Sequence, residues 1–122
     1  MKEILICEGG EILFTALEFR LRKHGLEIKW AKTKKEALLK VEEKIPDLIV
    51  GSLDMPGWKG KELLDIAAEY TAAKIPVILI GDMEEEVEIL DALKSGAADF
   101  LIRPFKPSEL AIRIIHILDH QS

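Results

Sequence analysis

The stretch Asp47–Gly57, DLIVGSLDMPG, carries an apolar run into two side chains that could do chemistry. Ser52 offers a hydroxyl, which becomes a useful nucleophile only with a base beside it, and no such base is apparent nearby. Asp54 offers a carboxylate, which can accept a phosphoryl group or ligate a hard divalent cation. Glu8 stands in a comparable place after KEILIC, and could join Asp54 in holding a cation. Arg103 closes a third apolar run, and its planar fork suits ion pairs with carboxylates.

Other candidates carry less. Gly9-Gly10 lacks the three-glycine fingerprint and the Lys-Ser/Thr that phosphate loops need, so it reads as a permissive turn. Cys7 ends an apolar run and reads as a buried structural thiol. As the one cysteine it excludes an internal disulfide and fits a reducing cytoplasm. His24, His116 and His120 have no spaced partners for a metal site, which leaves solvated or capping roles.

The 122 residues suit one domain, 1–122, with a core of its own. Apolar residues make up 48% and charged residues 32%, as in a soluble globular protein. The formal charge is -5 and the basic residues are dispersed, which argues against a nucleic-acid-binding face. The longest apolar runs are too short to span a bilayer, and MKEILICEGG has too short an apolar core for a signal peptide.

Positioning these side chains requires a regular frame. KEILIC (2–7), LEIKWA (26–31), DLIVGSL (47–53), IPVILI (75–80) and ADFLI (98–102) read as strands. The segments 11–25, 33–44, 60–73, 82–96 and 107–120 read as amphipathic helices. Thr33 with Glu36, and Asp82 with Glu85, have capping-box spacing, while Gly25 and Gly96 stop helices. Five β-α units with strands apolar on both faces predict an α/β fold, a doubly wound parallel sheet between helices. Its working site should lie at the carboxyl ends of the strands: Glu8 to Gly10, Ser52 to Pro56, Gly81-Asp82 and Arg103-Pro104.

Those strand ends, read as ILICEGGE, PDLIVGSLDMPGWKG, IPVILIGD and GAADFLIRPFKPSEL, resemble the successive signatures of a bacterial response-regulator receiver domain over essentially the whole chain. The resemblance implies a flavodoxin-like sheet of order 2-1-3-4-5 and a role in two-component or phosphorelay signalling. It also implies an autophosphorylating pocket, with an acidic pair holding Mg²⁺, an acceptor aspartate, a Thr or Ser hydroxyl and a lysine that pairs with the phosphoryl group. Position by position, this chain departs from that set. The acidic pair becomes Glu8 and Gly9, the acceptor becomes Ser52, the hydroxyl position becomes Gly81, and the lysine becomes Arg103.

The expectation is therefore a pseudo-receiver, not an enzyme, with no catalytic residue, no metal site and no cofactor. Ser52 is then a small polar residue filling the vacated acceptor position, and Arg103 pairs with Glu8 or Asp54 in place of a metal or phosphoryl group. The alternative is a functional receiver that uses Asp54 with Mg²⁺, Glu8 and Asp54 being the weak metal candidates; against it, moving a nucleophile by two residues shifts it several ångströms. The resemblance further places a cis bond at Arg103-Pro104.

With the pocket inactive, function should lie on a surface. The family's output face corresponds here to the helix over 82–96, the strand over 98–102 and the helix over 107–120, with Phe100 in the place of the switch aromatic and buried in one rotamer. Leu110, Ile114 and Leu118 stripe the last helix, while Ile112 and Ile117 fall outside the stripe. Asp99 and Arg113 resemble a charge pair that links dimers in one subfamily, although the basic residue expected near Ile89 is missing. A protein partner or a homodimer through this face is expected, with no nucleic acid or membrane bound by this domain. The chain ends at Gln121-Ser122, where multidomain regulators of the family usually continue into an output domain.

Overall fold

Three apolar runs, Glu3–Cys7 (β1), Leu48–Ser52 (β3) and Val77–Gly81 (β4), are buried along their whole length. Such strands must have both faces covered, which is the condition of the centre of a parallel sheet. In the computed structural model, which describes residues 1–55, 62, 64, 65 and 75–120, they are flanked by Glu27–Ala31 (β2) and Asp99–Ile102 (β5). The five strands are parallel, in the order β2-β1-β3-β4-β5, as expected.

Side chains alternate across a strand, so each strand feeds two cores. Ile4, Ile6, Leu48, Val50, Ile78 and Ile80 pack against the helices Ile12–Arg22 (α1) and Pro107–Asp119 (α4). Leu5, Cys7, Ile49 and Leu79 point the other way, towards Lys34–Glu43 (α2) and Glu86–Lys94 (α3). The helix expected over 60–73 lies outside the described residues except at Glu62, Leu64 and Asp65, which are helical. Among the described residues there are thus four bounded α-helices rather than five. None is long and apolar enough to cross a membrane.

Local chemistry accounts for the boundaries. Gly25, at φ 74°, ends the turn after α1 in the left-handed region that favours glycine. The Thr33 hydroxyl accepts from the Glu36 N–H at 3.2 Å, while the Glu36 carboxylate reaches back to the Lys32 N–H at 3.5 Å, not to that of Thr33. The segment expected as one helix from residue 82 instead begins with a 3₁₀ turn, Met83–Glu85, in which the Asp82 N–H donates to Glu85 Oε1 at 2.7 Å. Ile117, expected outside the stripe of α4, packs partly against the core.

β1 sends its chain to β2 on one side, and its other neighbour is β3, so the order reverses between β1 and β3. Ligands of open α/β sheets bind in the crevice at such a reversal, beyond the carboxyl ends. Glu8 follows β1 and Ser52 ends β3, at that place. At the opposite end lies Glu3, unforeseen from the residue pattern and buried with its carboxylate 3.0 Å from Lys29 Nζ and 3.5 Å from Lys44 Nζ.

Candidate functional site

The side chain of Arg103 occupies the centre of the crevice. Its own N–H donates to Gly81 O at 2.9 Å, continuing the β4–β5 ladder, and the Arg103–Pro104 bond that follows is cis. The guanidinium points back across the strand ends. Nη2 donates to Ser52 Oγ at 2.7 Å and to Glu8 Oε2 at 3.0 Å. Asp54 Oδ1 lies 3.6 Å from Nη2, and Asp82 Oδ1 lies 3.7 Å from Nη1.

The partners are themselves held. Glu8 Oε1 accepts from the Gly9 N–H at 3.2 Å, and the Glu8 backbone oxygen accepts from Trp30 Nε1 at 2.9 Å. Trp30 in turn stacks on Phe14, with centroids 5.9 Å apart. Ser52 is fully buried and donates its hydroxyl proton to Asp54 Oδ1. Its oxygen thus accepts from Arg103 while its hydrogen is given to a carboxylate, so both halves of the hydroxyl are engaged.

Burial works against the Arg103 charge, yet Glu8, Asp54 and Asp82 outweigh it and hold the guanidinium protonated more firmly than a free arginine. The hydrogen bond from Ser52 holds the Asp54 carboxyl below its ordinary range, against the desolvation it suffers and with help from the Arg103 charge. A depressed carboxylate contributes stability that is fully present above its unfolded value, here 3.8, and is lost as pH falls through the folded value. Asp54→Asn should therefore be less stable than the parent chain at neutral pH, with the gap closing below about pH 3.8. Urea unfolding at a series of pH values measures this, and a gap that stays constant down to pH 3 would contradict it.

The residues do not fit the divalent cation that the resemblance implies. Gly9 supplies no side-chain oxygen, Ser52 is neutral, and the Glu8, Asp54 and Asp82 carboxylates gather on a guanidinium rather than on a common point. Among the described residues no set of three acidic, histidine or cysteine side chains is placed to hold a metal ion. The space at the hydroxyl position is also taken. A Cβ on Gly81 would lie 2.8 Å from Leu53 Cδ1, 3.0 Å from Glu85 Oε1 and 3.0 Å from Phe100 Cζ.

Phe100, expected to be buried, is half-buried, its ring tip against Gly81 and its side chain on the core shared with α3. Asp99 and Arg113 are paired with each other inside one chain, Oδ2 to Nη1 at 2.6 Å. Ile112 is exposed beside them on α4. Cys7 is buried, and desolvation pushes its thiol far above the usual range. His120 Nδ1 lies 2.8 Å from His116 O at the end of α4. The turn MPGWKG falls, after Met55, outside the described residues. Asp82 was not foreseen as a partner of Arg103; its place directly after Gly81, at a strand end of the crevice, is the signal that could have found it.

Residues 4–115 match the family model of the response regulator receiver domain. The chain is 30% identical over 119 residues to the alkaline phosphatase synthesis transcriptional regulatory protein PhoP of Bacillus subtilis, covering 96% of this chain and 48% of that one. It is 32% identical over 114 residues to the KDP operon transcriptional regulatory protein KdpE of Escherichia coli, covering 93% and 50%. The chain thus spans about half the length of the curated relatives it matches. Among solved structures, a two-component response regulator from Clostridium difficile superposes with a TM-score of 0.87 at 27% identity, covering 100% of this chain and 99% of that one.

Proposed function

The chain belongs to the response-regulator receiver family, and from that premise we propose that it is a pseudo-receiver: a signalling module that acts by protein–protein contact without accepting a phosphoryl group. One observation carries this reading. The Arg103 guanidinium is bonded to Ser52 and Glu8, where phosphoryl chemistry would need an acceptor carboxylate and a bound cation. An internal cation held by three carboxylates takes over the charge balance that a metal would otherwise supply. The module is then not an enzyme, needs no cofactor, and works in the cytoplasm.

A competing reading has one observation behind it. The Asp54 side chain is 58% exposed and its carboxyl is held ionised, so it is a reachable oxygen nucleophile. Its Oδ1, however, is already bonded to Ser52 and faces Arg103. Incubation with Mg²⁺ and acetyl phosphate, followed by intact-mass measurement, separates the two. The parent chain should show no added phosphoryl group. A mass gain of one such group that disappears in Asp54→Asn would establish the competing reading.

The working surface in the proposal is the face of α3, β5 and α4, on which a protein partner or a second copy would dock. Met83, Val87, Leu90, Leu93 and Ile102 are large apolar side chains exposed there, more than scattered surface residues require. The net charge of -5 argues that this domain does not bind nucleic acid, whatever else the full protein carries.

A further inference from the structure

We propose that this chain associates with itself head to tail, the acidic stripe on α3 of one copy lying in a basic groove between α1 and α4 of the next. This rests on the reading that the α3 face is the working surface, and adds what covers it. The groove, of about 490 Å³, lies on the opposite side of the sheet from α3. Phe19 and Ile112, 68% and 66% exposed, stand along it, with Ile115 deeper. Arg20, Lys23 and His24 line the same groove. Among the described residues no carboxylate lies within 4.0 Å of Arg20 or Lys23, and Lys23 Nζ sits 4.3 Å from the centroid of the Phe19 ring. The neighbouring acid, Glu18, is engaged by Arg22 at 3.0 Å.

The complementary surface is on the same molecule. Met83 and Val87, 70% and 68% exposed, and Leu90 recur at i, i+4 and i+7, so they form one stripe. Glu84, Glu86 and Asp91 flank it and Glu88 lies beyond, all exposed; Lys94 stands at the far end of the helix. Placed against its own copy, this stripe would set carboxylates against carboxylates, which costs free energy. Placed in the groove, its apolar centre meets Phe19 and Ile112 while its acids meet Arg20 and Lys23, an apolar core with a polar rim. Because the two patches lie on opposite faces, the contact is heterologous: each copy keeps one patch free, and assembly continues into rings or chains.

Sedimentation velocity across protein concentration tests this on the whole chain. At low ionic strength (about 0.01 M) the mean mass should climb past that of a dimer, and near 1 M salt it should return to the monomer. Arg20→Glu/Lys23→Glu and Glu86→Lys/Asp91→Lys should each weaken association at least tenfold while leaving the circular dichroism unchanged. An equimolar mixture of the two should regain growth past a dimer, because the reversed groove of one is complementary to the reversed stripe of the other. A parent chain that stays monomeric at low salt overturns the proposal. So does a groove variant that associates like the parent, in which case the α3 face survives as an isologous surface. A stripe variant without effect would remove the α3 face as well, and the pseudo-receiver reading, tested by mass, stands or falls separately.

Discussion

Arg103→Ala should destabilise the fold by about 2 kcal/mol at neutral pH. The substitution leaves Glu8 and Asp82 without the cation they face and removes a charged donor from the buried oxygen of Ser52. Breaking a fully buried ion pair by deleting one partner costs about 3–5 kcal/mol, and the partial exposure of this cluster reduces that. Three carboxylates around one guanidinium leave the crevice net negative even before the mutation, so the loss is repulsive as well as a lost attraction. Arg103→Lys should recover only part, because an ammonium cannot reach Glu8, Ser52 and Asp82 with the geometry of a fork. Urea unfolding measures all three chains. A change below 0.5 kcal/mol in Arg103→Ala would show that the guanidinium is an ornament of the surface rather than a strut, by the usual scale for exposed pairs.

Gly81→Thr, the substitution that adds the hydroxyl the resemblance implies at that position, should cost about 2 kcal/mol. The obstacle is packing. The added Cβ alone would sit under 3.0 Å from Leu53 Cδ1 and at 3.0 Å from both Glu85 Oε1 and Phe100 Cζ. Glu85 is committed to the Asp82 N–H at the start of the 3₁₀ turn, and Leu53 is buried, so three side-chain ends must yield together. The register explains how they meet: Leu79 pairs with Phe100 and Gly81 with Ile102, so the aromatic leans on the glycine next along the ladder. Phe100→Leu should relieve much of the penalty when combined with Gly81→Thr, and a double-mutant cycle should show favourable coupling. Strict additivity of the two changes would refute the contact as the cause.

The frame was legible because its signals are redundant. IPVILI and DLIVGSL are continuous apolar runs that only a doubly covered strand accommodates, and their spacing by helical segments leaves few alternatives. The crevice was legible in its members Glu8, Ser52, Asp54 and Arg103, because each stands at a strand end. Two things were hidden. Asp82 reads in sequence as a helix cap, and only the path of the Arg103 side chain brings it within 3.7 Å of Nη1. The filling of the space at Gly81 depends on Leu53 and Phe100, which are distant in sequence and adjacent only through strand register. Glu3 was hidden for a similar reason, since its lysine partners come from β2 and from the end of α2.

The lone thiol of Cys7 closes β1, an inner strand of the sheet, with none of its surface open to solvent, and burial suppresses its thiolate. A reagent such as an aromatic disulfide needs that thiolate, so it can react only with molecules that have opened β1. The labelling rate of the unmodified chain therefore reads out how often β1 opens. This gives the Arg103 and Gly81 variants an internal clock that requires no engineered label and no denaturant.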